Sequence, residues 1–416
     1  MESYNRLSRL PRIRRTGLFL SALILTIMTS CLHLAYGQIP ISVLNGAQLN
    51  AIQTSVPFLT LAPDGRASGM GDIGVASTPD INSQHWNVGK YAFAEKRGGA
   101  ALSFTPWATN LIPGIYLFNL AGYHKLNEKN AFSGSIRYFS LKTINFHTIG
   151  SRSSGDFHPF ELAVDAGYSR MFTDCLSGGL ALRYIHSELV PVQNAVSGGT
   201  EQVGRSVAGD VGLYYQSNIQ PEGLNGQWAF GLNISNIGPP VSYSKDTEGL
   251  ALPTNLRLGG RYSFSIDENH KISVLADLNK LLVPTPGVYE LDTLSNELIL
   301  IRGKEDPSSV IRGMYQSFYD APGVLRSNRS YSVIAEEMHE IVFSLGAEYW
   351  YKKRLAIRSG YHHEHASKGN REYFTIGAGA RYKVLTFDIS YLLPVDGKNS
   401  PMFNTFSLSL TVELNT

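Results

Sequence analysis

The chain has 416 residues, of which 17% are charged, against about 25% in an ordinary soluble domain. A formal charge of +2 leaves no basic patch for nucleic acid, and two cysteines exclude a cysteine-rich metal site. Beyond the first 37 residues no apolar run approaches the ~20 residues that a membrane helix needs.

Arg6, Arg9, Arg12, Arg14 and Arg15 precede an apolar run from Gly17 to Met28, and Ala35-Tyr36-Gly37 closes it. This is the layout of a secretory signal peptide over residues 1–37, cut after Gly37. Cys31, preceded by Thr29 and Ser30, is the rival site, as a lipidated cysteine. Loss of five arginines and Glu2 takes the formal charge from +2 to −2. Cys175 is then the sole cysteine left, which excludes an intrachain disulfide.

Residues 38–97, rich in Gly, Asp and Asn, do not read as strands and are expected to fold into the mouth of a barrel as a plug. From Gly98 onward the chain breaks into segments of about ten residues with period-two alternation. In the last, Phe406, Leu408, Leu410, Val412 and Leu414 share one face, while Thr405, Ser407, Ser409, Thr411 and Glu413 share the other. Similar patterns run through Ile341–Tyr351 and Phe374–Tyr382. About fourteen such segments centre near residues 102, 120, 135, 164, 181, 211, 232, 259, 275, 345, 357, 376, 389 and 409.

A chain that enters lipid without membrane helices must satisfy its backbone by closing a barrel. The expected fold class is therefore all-β: an outer-membrane barrel of about fourteen antiparallel strands over residues 98–416. A soluble β-sandwich also alternates, but its strands are shorter.

Connections near Asn127–Lys129, Thr173–Asp174, Asp267–Asn269 and Lys352–Lys353 are tight, whereas those near 139–157, 187–205, 237–252 and 281–338 are long. Short turns face the periplasm and long loops the exterior, which orients the barrel. Tyr262, Tyr349, Tyr351 and Tyr382 fit interfacial girdles. The segment 283–338 is far longer than a connecting loop needs to be, and Ser308 to Phe318 reads as a short helix within it.

Chemistry is sparse. Tyr361-His362-His363-Glu364-His365 resembles a metal-ligand run, but on a strand its members alternate between faces, and no metal is expected. A hydrolase would need a Gly-x-Ser-x-Gly elbow or a comparable constellation; His186 near Ser187 and His339 near Glu337 supply none, so neither a catalytic residue nor a cofactor is expected.

The stretch Pro57-Phe58-Leu59-Thr60-Leu61-Ala62-Pro63-Asp64-Gly65-Arg66, followed by Gly69-Met70-Gly71-Asp72-Ile73-Gly74-Val75-Ala76, resembles the N-terminal signature of the PorV family of the type IX secretion system. The resemblance continues through Ser83–Asn87, Lys90–Ala94, Ser103–Trp107, Leu281–Pro286, Gln316–Gly323, Gly346–Tyr351 and Gly360–Glu364 with Lys368–Asn370. It implies a FadL-like barrel in the cell outer membrane that is not an enzyme. Its implied partners are the translocon, cargo proteins bearing a C-terminal signal domain and an attachment complex with the sortase-like PorU, together with outer-membrane lipid. Cargo or partner contacts are expected at Tyr315, Phe318 and Trp107, and bracing of the plug at Asp64, Arg66, Asp72 and Asn87. The rival function is a FadL-like channel for small hydrophobic compounds, with the N-terminal segment as its hatch. The chain ends Leu414-Asn415-Thr416 rather than on the aromatic residue common to such barrels.

Overall fold

The computed structural model describes residues 50–110, 112–146, 155–189, 202–219, 225–246, 248–292, 296–326 and 329–414. The proposed signal peptide, its cleavage site and Cys31 lie outside them. No described helix is long and apolar enough to cross a membrane.

Fourteen antiparallel strands close into one barrel. They are β1 (Gly98–Pro106), β2 (Tyr116–Asn127), β3 (Asn130–Ser140), β4 (Phe160–Met171), β5 (Leu176–Glu188), β6 (Gly204–Ile219) and β7 (Asn225–Ile237). The second half comprises β8 (Asn255–Ser265), β9 (His270–Leu281), β10 (Ile341–Tyr351), β11 (Leu355–His363), β12 (Glu372–Tyr382), β13 (Leu385–Pro394) and β14 (Phe406–Leu414). Every segment centre expected from the alternation falls within one of these strands. Each strand pairs with its neighbours in sequence, and the ring closes where β1 meets β14, from Gly98 opposite Leu414 to Phe104 opposite Leu408.

Alternation has a direct physical cause, since one face of each strand meets hydrocarbon and the other meets the lumen. On β14, Leu410 is exposed on the outer wall, while Ser407 and Ser409 are buried. At the seam the Ser103 and Ser409 hydroxyls lie 2.7 Å apart, as do those of Thr105 and Ser407. Hydroxyl pairs thus zip the closing strands on the luminal side. Outside, aromatic pairs form two bands. Phe132–Tyr168 and Trp228–Tyr262 lie toward the short-turn end, and Phe104–Tyr116, Tyr138–Phe160 and Tyr361–Phe374 toward the long-loop end. Such bands mark the two membrane interfaces.

The tight turns are built by local side-chain chemistry. Asn127 Oδ1 accepts from the Lys129 and Asn130 amides, and Asp267 Oδ1 from those of Asn269 and His270. These side chains stand in for backbone turn acceptors. At 352–354 the turn is made instead by left-handed backbone at Lys352 and Lys353 (φ 49° and 55°).

Residues 55–94 lie inside the ring of strands as short helical turns. Their contacts run round the wall. Gly65 donates its amide to Ser409 on β14, Gly74 and Val75 donate to Asp277 on β9, and Asn87 donates to the Leu213 carbonyl on β6. From the wall, Arg137 on β3 donates to the Leu59 carbonyl, Ser177 on β5 to that of Gly89, and Arg257 on β8 to that of His85. Two strand glycines make the close fit possible. A Cβ on Gly231 would sit 2.2 Å from the Val75 carbonyl oxygen, and one on Gly360 would sit 2.0 Å from the Met70 carbonyl carbon. Glycine weakens a strand, and here it admits another backbone against the wall.

Candidate functional site

Two regions carry chemistry beyond the wall: the luminal segment, and the long loop between β9 and β10. In the lumen, Asp64 caps a helical turn by accepting from the Ala67 amide at 2.9 Å, and its other oxygen accepts from Trp86 Nε1 at 2.8 Å. Burial, aided by the nearby Asp80, pushes its carboxyl up to about 6 against those two bonds. Arg66 reaches the wall: its guanidinium meets Glu348 on β10 through Nε–Oε1 (3.0 Å) and Nη2–Oε2 (2.9 Å), and Asp80 within its own segment at 2.8 Å. Burial opposes that cation, but Glu348 and Asp80 more than offset it and its pKa rises. Asp72 accepts from the Tyr373 hydroxyl on β12 at 2.6 Å. Asn87 bridges the Val75 and Leu213 carbonyls at 3.2 and 2.8 Å. The four residues expected to brace this segment thus face β10, β12, β6 and a helical turn of their own rather than converging on one point.

Charge continues round the wall in two clusters. Arg183 on β5 bonds Asp165 on β4 at 2.5 Å, Asp210 on β6 at 2.8 Å, and the side-chain Oδ1 of Asn236. Arg137 completes this cluster at 3.4 Å from Asp165. On the opposite wall Arg358 on β11 links Glu348 (2.8 Å) to Asp388 on β13 (2.7 Å), so that Arg66 and Arg358 share one carboxylate. Arg183, Asp210 and Glu348 are recognisable in sequence as charges in the inward phase of a strand. Their partners are not, because the partner depends on the stagger between strands.

The lumen holds a cavity at each end. Toward the long loops, a chamber of about 310 Å³ is lined by Phe58, Trp107, Arg257 and Arg371, among others. Toward the short turns, a vestibule of about 340 Å³ is lined by Asp267, Lys271, Trp350 and Glu413, among others. The luminal segment lines both, and Arg66, Arg358 and Asp388 line the vestibule.

The long loop is ordered by its own core of charge. It carries a hairpin (Val288–Leu291 with Leu298–Arg302) and two helices, α1 (Val310–Gln316) and α2 (Val333–His339). Ser309 caps α1 and Ser332 caps α2, each accepting an amide three residues on at 3.3 Å. Helix α1 is shorter than the helix expected from the sequence, and α2 was not foreseen. Lys280 on β9 bonds Glu337 (3.0 Å) and Glu340 (2.6 Å), and Lys368 from the β11–β12 loop bonds Glu336 (2.8 Å) and Glu340 (2.9 Å). Glu336 and Glu337 also accept from the Gly323 and Ala321 amides. His339 on α2 stacks on His365 with ring centroids 3.5 Å apart. The run 361–365 is thereby divided: His362 is buried on β11, Glu364 pairs with Arg371 at 2.7 Å, and His365 joins the loop clasp.

Helix α1 is packed in an unusual sense. It buries Gly313 and Gln316, followed by Ser317 and Asp320, and turns Ile311 and Tyr315 outward, with Phe318 exposed just beyond its end. Tyr315 is 70% and Phe318 48% exposed. Ile334 and Met338 on α2 are exposed as well. Trp107 does not join them: it sits on the β1–β2 loop, half-buried against the cluster around Phe58 and a second cluster around Tyr373.

A closed fourteen-strand barrel with lipid-facing aromatic bands defines an outer-membrane β-barrel protein. The family model described as "Type IX secretion system protein PorV" matches residues 45–288, more than half of the chain, and the chain belongs to that family. The match spans the luminal segment and β1–β9 and ends at the start of the long loop. None of the curated proteins matches the sequence. Solved structures of similar fold include the Ralstonia pickettii toluene transporter TbuX, with 12% identity, TM-score 0.44, and coverage of 86% of this chain and 99% of that one. The Pseudomonas putida toluene transporter TodX has 10% identity and TM-score 0.45, covering 86% and 100%. A Pseudomonas aeruginosa FadL homologue has 10% identity and TM-score 0.38, covering 84% and 98%. These likenesses concern the fold alone.

Proposed function

We propose that this barrel is a non-enzymatic docking component of type IX secretion, which receives cargo proteins by their C-terminal signal domain and delivers them to a PorU-like attachment complex. The observation that carries the reading is the outward apolar face of α1 and α2, with α2 tied to the rim by the Lys280–Glu337–Glu340–Lys368 network. Aromatic side chains presented on an ordered frame are the usual anchors of a protein interface. Family membership supports the setting, since it ties the chain to type IX secretion. In this reading residues 55–94 act as a plug, braced by Asp64, Arg66, Asp72 and Asn87, and Trp107 stiffens the rim from within.

Capture from outer membranes tests the reading. Secreted proteins sharing a C-terminal domain should co-purify with the barrel. Their absence, together with uptake of small hydrophobic compounds into liposomes that carry the purified protein, would favour the channel instead.

A further inference from the structure

The vestibule at the short-turn end faces the periplasm and carries positive charge that the wall does not neutralise. Four successive strands send side chains to it: Lys271 on β9, Trp350 on β10, Arg358 on β11 and Arg381 on β12. Lys271 stands directly across from Trp350 in the strand register. The guanidinium carbons of Arg381 and Arg358 lie 5.0 and 5.6 Å from the indole centroid. Three cations thus gather round one indole.

Their carboxylate partners fall short. Glu348 and Asp388 are engaged by Arg66 and Arg358, and Arg358 still keeps its Nη2 buried without an acceptor. Arg381 donates from Nε to the Thr386 hydroxyl at 3.2 Å and approaches Glu413 only to 3.8 Å. The half-buried Lys271 ammonium has no hydrogen bond or ion pair among the described residues. The other acids that line the vestibule, Glu95, Asp267 and Glu268, are exposed to water. A half-buried cation without a counter-ion is costly, whereas an exposed carboxylate is already solvated.

We propose that the vestibule is a docking socket for an acidic polypeptide segment from the periplasm, whose carboxylates meet Lys271 and Arg381 beside Trp350. Ammonium and guanidinium groups hold carboxylates through charge-assisted hydrogen bonds, and Arg and Trp are common anchors of protein interfaces. The volume of about 340 Å³ is of ligand-pocket size and far exceeds what one inorganic anion fills. A lining with charges of both signs suits a polypeptide, which offers amides and mixed side chains. The socket lies at the opposite end of the barrel from the long loop, so the inference does not rest on the loop-docking reading.

The mature protein in phosphatidylcholine nanodiscs, which expose both faces, is titrated calorimetrically with three octapeptides in which serine alternates with glutamate, glutamine or lysine. The glutamate peptide should saturate and bind about tenfold more tightly than the other two, and added salt should weaken it. Lys271→Gln and Arg381→Gln should each weaken that binding several-fold, while Arg312→Gln on α1, in the long loop, should not. Trp350 lines the socket, so tryptophan fluorescence should change on binding, and Trp350→Phe should remove the change. The proposal fails if the glutamate and glutamine peptides bind alike, if the glutamate peptide does not saturate, or if folded Lys271→Gln and Arg381→Gln variants bind it as tightly as the wild type. Saturation by inorganic phosphate in place of the peptide would likewise overturn it. The wild-type comparison of the three peptides decides even where a variant does not fold.

Discussion

Arg66 in the luminal segment and Glu348 on β10 form a two-point ion pair, Nε–Oε1 at 3.0 Å and Nη2–Oε2 at 2.9 Å. Glu348 is shared with Arg358 on the neighbouring strand, so the pair fastens the segment to two strands at once. Removing one partner of a buried pair strands the other charge and typically costs about 3–5 kcal/mol. Arg66→Ala should therefore open residues 57–93 to protease and to amide exchange while the barrel strands stay protected. Because Arg358 still needs Glu348, Glu348→Gln should loosen both the segment and β11. Unchanged protection of the segment in folded Arg66→Ala would remove it from the bracing set.

Gly360 offers a steric test of the same packing. Its missing Cβ leaves room for the Met70 backbone, whereas the outward-facing Ile357 on the same strand is free to vary. Gly360→Val should expel or distort residues 69–73, read as protease cleavage there and as larger ionic conductance in planar bilayers. An Ile357→Val control should do neither. Equal conductance in both variants would contradict a space-filling role for the segment.

The clasp on the long loop should respond to acid. Burial, with neighbouring His339, pulls His365 down to about 4 from its ordinary value near 6.5. A histidine lowered in the folded state binds fewer protons there than in the open state, so its share of loop docking is present above pH 6.5 and lost as pH falls toward 4. Asp320 has the opposite sign: burial, against the bond from the Thr285 amide, pushes it up to about 7, so its share is present below pH 4 and lost as pH rises toward 7. Protease cutting within 283–338, followed from pH 7 to pH 4, separates the two. Relative to wild type, His365→Phe should resist cleavage more at pH 4.5 and Asp320→Asn more at pH 7.5. If the pH profiles of all three proteins superimpose, neither group is linked to docking.

Tyr315 on α1 and Phe318 just beyond its end are exposed, with Lys280 Nζ 5.7 Å from the Phe318 ring. Replacing either with Ala should leave the melting temperature of the barrel unchanged and weaken cargo binding on the order of tenfold, about 1.4 kcal/mol. Trp107→Ala should behave differently and lower stability, since it removes packing from two buried clusters. Loss of stability without loss of affinity would separate Trp107 from the contact residues.

How much was legible in the sequence follows from where the constraints are local. Alternation is imposed residue by residue by lipid and lumen, so all fourteen strands and the four tight turns named from sequence stand where they were expected. Charges in the inward phase, such as Arg183 and Glu348, were legible as luminal for the same reason. Their full pairing was not: Arg183 faces Asp165 directly across the tight β4–β5 hairpin, but it also meets Asp210, 27 positions away, across the long β5–β6 connection, whose stagger no local pattern sets. The long loop was legible as exceptional in length but not in fold. Its glutamates find Lys280 and Lys368, which lie 57 and 32 positions from Glu337 and Glu336, and no local pattern announces that. Helix α1 was legible through its apolar spacing, yet local reasoning would bury that face. The structure buries Gly313 and Gln316 instead, because the rim offers Pro284 and the Glu305 carbonyl as partners.

The central claim is that the outer loop receives cargo. It is tested most directly by deleting residues 300–325 and measuring cargo affinity for a barrel shown by circular dichroism and thermal melting to be folded. Loss of at least tenfold in affinity, with the barrel melt intact, is the result expected. A folded barrel without those residues that binds cargo as tightly as the full chain would contradict the account.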